Sequence, residues 1–200
     1  MACLFGRGWG RSHPIASWAR TQAMRPLVLL ILAALALPAA EAGGVSFPDQ
    51  IAVAETAVPL RGTAVMKWKR LITVHASACW LPPGEDALAD VPKAFELHYF
   101  HDISAAEFRT ATEESLQRSA APELIAALRP RIDRFNALYQ DIAEGQRYRL
   151  TYRPGVGTEL AKDGVALGTI QGADFAQAIF GIWLGPKAID ARFRDRVLGR

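Results

Sequence analysis

Cysteine is nearly absent: the 200-residue chain has two, and only Cys79 lies beyond residue 42. No disulfide can form within residues 43–200, so that part of the chain must rest on a packed core rather than covalent staples. Nor does the chain have an apolar run long enough for a bilayer. Its longest, residues 27–37, is eleven residues, against the ~20 that a membrane-spanning helix needs. Charge of one sign is missing too. Residues 1–42 hold four arginines and one acid, which leaves 19 basic and 19 acidic residues out of the chain's 23 and 20. The basic character belongs to the N-terminus, and the balance beyond it gives no support to a nucleic-acid footprint, so no nucleic-acid partner is expected.

The short apolar run is itself informative. Arg25 precedes it, Pro38 breaks it, and Ala40-Glu41-Ala42 follows as a small-x-small site, which is the pattern of an export signal cut after Ala42. The expected organisation is therefore an N-terminal extension and signal peptide over 1–42 and one domain over 43–200. The mature protein is expected to be periplasmic or secreted, with no stable membrane span after cleavage. Two starts, Met1 and Met24, remain open. The domain's 158 residues suffice to bury about two-thirds of the unfolded surface.

Residues 45–63 contain short apolar runs broken by Pro48, Pro59 and Gly62, as expected of short strands. From Val65 to Leu81 the period is two. Met66, Trp68, Ile72, Val74, Ala76, Ala78 and Trp80 share one parity, and Lys67, Lys69, Thr73, His75 and Ser77 the other. This predicts a long half-buried strand or a strand pair. A short helical segment is expected near Asp86–Ala89, then a strand over 93–100. Ser104-Ala105-Ala106-Glu107 reads as a capping box opening a helix to about Ser119. Pro122 opens a second helix, whose apolar stripe Leu124, Leu128, Ile132, Phe135, Leu138 and Ile142 predicts an end at Gly145. Tyr148, Leu150 and Tyr152 alternate with arginines in a strand, Asp163-Gly164 forms a type I′ hairpin turn, and helices start at Gly172-Ala173-Asp174 and after Ile189. The fold class is α+β: a large antiparallel sheet with a helical layer on one face.

Several constellations invite chemistry and carry little. His98-x-x-His101-Asp102 has metal-like spacing, but on a strand those imidazoles point to opposite faces; a hydrogen-bonded surface pair is expected and no metal. Arg147, Arg149 and Arg153 form a basic stripe that Glu96 neutralises in part. Cys79 is expected as a buried inert thiol. Gly155-x-Gly157 lies between strands, not before a helix, so it is a bend rather than a phosphate loop, and no cofactor is implied.

The phrases Leu60-Arg61-Gly62-Thr63-Ala64, Trp80-Leu81-Pro82, Phe95-Glu96-Leu97-His98-Tyr99-Phe100, Arg131-Ile132-Asp133-Arg134-Phe135, Tyr152-Arg153-Pro154-Gly155-Val156-Gly157-Thr158 and Ile182-Trp183-Leu184-Gly185 resemble the exported bacterial chalcone-isomerase-like family, in family order. The resemblance implies an open-faced β-sandwich with a ligand cleft between sheet and helices. Plant chalcone isomerase uses an Arg, a strand Thr, a helix Tyr and Asn, and a later Thr. By resemblance these fall on Lys67, His75, Phe108, Ser115 and near Leu167, with Thr169 two residues on. Oxyanion donors are usually the largest catalytic contribution, and replacing Arg, Tyr and Asn together removes them.

Three readings follow from the resemblance. The first is a non-catalytic carrier of a small apolar or amphipathic, fatty-acid- or flavonoid-like molecule, with Lys67, His75, Phe108, Ser115 and Thr169 as binding residues. The second is an isomerase of the intramolecular-lyase type using His75 and Lys67. The third is an envelope scaffold. Lys67 and His75 lie eight residues apart, or ~26 Å along a straight strand. They meet one ligand only if the chain turns near Lys69-Arg70; otherwise they are solvated residues on the sheet's open face.

Overall fold

The computed structural model describes residues 39–69 and 71–200. The apolar run at 27–37 and both candidate starts lie outside the described residues. Two short antiparallel strands, β1 (Ala39–Ala42) and β2 (Val45–Pro48), pair with each other, turning through Gly43 and Gly44 at φ +59° and +78°. A seven-stranded antiparallel sheet follows, in the order β3 (Gln50–Val53), β4 (Thr56–Trp68), β5 (Ile72–Trp80), β6 (Lys93–Tyr99), β7 (Arg147–Arg153), β8 (Gly157–Lys162) and β9 (Val165–Ile170). The helices are α1 (Ala105–Ser119), α2 (Pro122–Asn136), α3 (Ala173–Leu184) and α4 (Ala191–Val197). Among the described residues no helix is long and apolar enough to cross a membrane.

The local signals act as chemistry dictates. Ser104 Oγ accepts from the Glu107 backbone N–H, and the Glu107 carboxylate accepts from the Ser104 N–H, so the capping box is complete. Asp163 and Gly164 take φ +47° and +81°, which matches the twist of the β8–β9 hairpin. Two expectations are corrected. Asp86–Ala89 is a single turn, closed by the Ala89 N–H donating to the Asp86 carbonyl, with the Asp86 side chain accepting from the Leu88 N–H rather than opening a helix. The second helix ends at Asn136, not Gly145. The apolar spacing continues past it because the following loop is itself buried: Tyr139 stacks on Phe108, and Ile142 bridges to Ile103.

The largest correction concerns the two parities of β5. The apolar one, Ala76, Ala78 and Trp80, packs away from the helices in a core with Phe47, Val53, Val58 and Ala94, and Trp80 Nε1 donates to the Pro48 carbonyl. The polar-looking one faces the other way. His75, Ser77 and Cys79 are all buried, and Cys79 belongs to the main core with Phe95, Leu97, Ile179, Phe180 and Ile182. Both faces of β5 are thus covered from His75 to Trp80. Small side chains on both parities allow β5 to sit between two layers.

Candidate functional site

The chain does turn where a shared site requires it. The Leu71 N–H donates to the Trp68 carbonyl, and Lys69 takes a left-handed φ of +49°. Beyond the turn, β5 runs back along β4. Pairing slips between Met66 and Lys67: Met66 lies opposite His75 and Lys67 opposite Thr73, so Val74 has no partner of its own. A bulge of this kind re-aims side chains. Here the consecutive residues Met66 and Lys67, and Val74 and His75, all border one cavity.

That cavity has a volume of about 460 Å³ and lies between the sheet and α1, bounded also by the ends of α3 and α4. Lys67, His75, Phe108 and Ser115 all line it. The fifth expected binding residue does not. Thr169 is exposed on β9, at the sheet's edge four strands from β5, or roughly 19 Å at normal strand spacing.

His75 is not solvated. Its Nδ1 and Ser77 Oγ share a hydrogen bond of 2.8 Å, and its ring meets Tyr99 and Phe193 edge-on, with centroids 5.6 Å away in each case. Burial pushes its pKa down to about 3, so the imidazole is neutral at physiological pH. Lys67 is exposed at the rim. Ser115 is buried on α1 and accepts from Arg118 Nη2 at 2.9 Å.

Phe108 belongs to an aromatic wall. It stacks on Tyr139 (5.3 Å, 19°) and meets Tyr99 and Tyr148 edge-on at 5.2 and 5.1 Å. Tyr139 and Thr112 share a 2.9 Å hydrogen bond, and Tyr148 is tied to Gln140 through both its donor and its acceptor. Burial holds the Tyr99 and Tyr139 hydroxyls above the ordinary tyrosine range. Tyr99, Tyr139 and Thr112 border the cavity and were not singled out in the sequence. Tyr99 carried one legible signal, its shared parity with the core residues Phe95 and Leu97.

The remaining constellations are structural. Glu96 is buried and accepts from Arg147 at 2.8 Å and Arg149 at 2.6 Å, so one carboxylate pairs with two of the three arginines in the stripe and offsets half of their charge, and Arg153 pairs with Glu159. Cys79 is buried, and burial pushes its thiol up to about 12, which makes it inert. His98 and His101 form no mutual hydrogen bond among the described residues; His98 instead packs edge-on against Phe100. Among those residues, no group of three or more His, Cys, Asp or Glu side chains could hold a metal. Gly157 is a close-approach bend, where a Cβ would lie 2.4 Å from the Ile170 carbonyl oxygen.

Comparison with known proteins agrees with this geometry. No curated protein matches the chain. Among solved structures, the chain is similar to the Arabidopsis thaliana fatty-acid binding protein AtFAP1, at 18% identity and a TM-score of 0.61, over 78% of this chain and 92% of that one. Identity that low shows a shared fold: a large antiparallel sheet with helices packed on one face. A family model described as chalcone isomerase-like matches residues 39–199, nearly all of the described chain, and the protein therefore belongs to the chalcone isomerase-like family.

Proposed function

We propose that this protein is a carrier that holds one small amphipathic molecule, its apolar body in the cavity and its polar end at the rim beside Lys67 and Lys69, without turning it over. The observation that carries this reading is the cavity itself. Its volume of about 460 Å³ falls in the roughly 300–1,000 Å³ range of ligand sites, and Leu97, Phe108, Leu150, Leu160, Ile182 and Trp183 give it apolar walls. The likeness to a fatty-acid binding protein supports a fatty-acid-like ligand.

Two features argue against turnover. Phe108 and Ser115 offer neither the phenol nor the amide of the plant enzyme, and a histidine whose pKa is about 3 lies far from the near-neutral value that makes general acid–base catalysis efficient. One observation favours an isomerase instead: His75, Tyr99 and Lys67 reach the same cavity, so donors do converge there. Native mass spectrometry of the purified protein tests the carrier reading. A co-purified lipophilic adduct, or one-to-one uptake of added palmitate, is expected. Bare protein that takes up neither fatty acids nor flavonoids would refute it, and turnover of chalcone-type substrates, abolished in His75→Ala and Lys67→Ala, would favour the isomerase.

Export is part of the same proposal. It rests on the apolar run and the Ala40-Glu41-Ala42 site. Cleavage after Ala42 would remove β1, whose partner is β2. N-terminal sequencing of the protein from the cell envelope is expected to begin at Gly43; a start before Ala39 would retain β1 and move the cut upstream.

A further inference from the structure

The β4–β5 turn is the most apolar exposed feature beside the cavity. Trp68, Leu71 and Ile72 are 55%, 86% and 44% exposed, within five consecutive residues. Single exposed apolar side chains are ordinary on protein surfaces, but these are interleaved with lysines, in the sequence Lys67-Trp68-Lys69-Arg70-Leu71-Ile72. The Lys69 ammonium lies over the Trp68 ring, 4.3 Å from its centroid. Lys67, Trp68 and Lys69 also line the cavity, as does Ile189, which is 49% exposed just before α4. The apolar tip and the cavity mouth are therefore one continuous surface.

We infer that this tip docks the protein on the surface of an anionic phospholipid bilayer, with the cavity mouth facing the lipid. Tryptophan settles at the level of lipid headgroups. Lysines lay their apolar stems along the same surface while their ammonium groups reach the phosphates. Each cation near an anionic surface adds to the attraction.

Two acids, Glu107 and Asp190, border the cavity as well and offset part of this attraction, but the tip segment itself, residues 67–72, holds three cations and no acid. The Glu107 carboxylate is held by the Ser104 N–H and hydroxyl, and Asp190 Oδ1 accepts from the Phe193 N–H; each serves a helix cap. Among the described residues no transmembrane helix competes for the role. Three apolar side chains and a few cations give weak, reversible attachment rather than anchoring, as an exchange of cargo with a membrane requires.

Co-sedimentation with vesicles tests the inference. Vesicles of phosphatidylcholine mixed with phosphatidylglycerol should carry down the protein, taken as the cell delivers it, and phosphatidylcholine alone should carry down much less. Added salt should release it, since screening weakens the lysine contribution. Leu71→Asp should lower binding by about tenfold while leaving uptake of a soluble fluorescent fatty acid unchanged, because Leu71 does not line the cavity. Lipids brominated on their acyl chains should quench tryptophan emission in the wild type and much less in Trp68→Phe.

Equal vesicle binding by wild type and Leu71→Asp, or no binding by the wild type, overturns the inference. So does concentration-dependent dimerisation that Leu71→Asp abolishes without any vesicle binding, which would make the tip a surface for a second copy of the chain. Vesicle binding reads the tip and fatty-acid uptake reads the cavity, so either can fail without the other.

Discussion

His75 and Tyr99 face each other across β5 and β6, their rings 5.6 Å apart and edge-on, and both border the cavity. Both side chains of this cross-strand pair are buried, and the consequence is electrostatic. The folded protein keeps His75 neutral down to about pH 3, whereas the unfolded chain protonates it near 6.5.

Between those values the unfolded state binds the extra proton, so stability is fully present above pH 6.5 and is lost as the pH falls toward 3. At pH 5, still above the carboxylate range, the loss from this one group is about 2 kcal/mol. Urea denaturation at pH 7 and pH 5 should show a larger acid loss for the wild type than for His75→Gln, by about that amount. Equal losses would mean that the imidazole is solvated.

Filling the cavity should block uptake without unfolding the protein. Ala111 is exposed on α1 and lines the cavity, so Ala111→Trp places an indole where the ligand's apolar body would lie. Displacing the equivalent of two methylene groups costs about 1.6 kcal/mol of burial, or more than tenfold in affinity. Fluorescent fatty-acid titration should show that loss, with a thermal midpoint close to that of the wild type.

Glu96 should matter more than either of its partners. Its side chain is 3% exposed, and the carboxylate meets both Arg147 and Arg149. Removing a buried partner costs about 3–5 kcal/mol when the remaining charge is fully buried, but the two arginine side chains are 36% and 38% exposed and can turn to water. About 2 kcal/mol is therefore expected for Glu96→Gln, after that discount for solvent. Arg147→Ala, which leaves Arg149 in place, should cost under about 1 kcal/mol. Denaturant midpoints of the two variants would check the order.

Gly62 is required by close approach rather than by backbone angle. A Cβ there would lie 2.7 Å from the Arg196 carbonyl oxygen and 2.9 Å from that of Val197. Gly62→Ala must push the C-terminal residues off β4, at a cost of about 1–3 kcal/mol for overpacking. It should also weaken fatty-acid uptake, since the displaced segment carries Phe193, which packs against His75.

Legibility in the sequence followed the number of buried faces. The β7 strand was plain because its outer residues are only half-buried while Tyr148, Leu150 and Tyr152 are buried, so polarity alternates. The capping box and the Asp163-Gly164 turn were plain because their chemistry is local. On β5, alternation was present but misleading, since a residue can be polar and still face a core when it borders a cavity, as His75 does.

The bulge at Val74 left no mark in composition, yet it decides that neighbours on the chain share one site. Phe108 and Ser115 could be placed through family resemblance, being fixed on α1. Thr169 could not, because β9 carries it to the far edge of the sheet. Tyr139 escaped notice for a related reason: it lies in a loop whose apolar spacing imitated a continuing helix.

The Gly62 contact gives the last residues of the domain a part in enclosing the cavity. Arg61 Nε donates to the Leu198 carbonyl, and Leu198 and Val197 are buried, so α4 is fastened from its far end while Asp190, at its near end, borders the cavity. A protease that trims this tail, or a bulky tag fused to it, would unlatch one wall and turn a pouch into a trough.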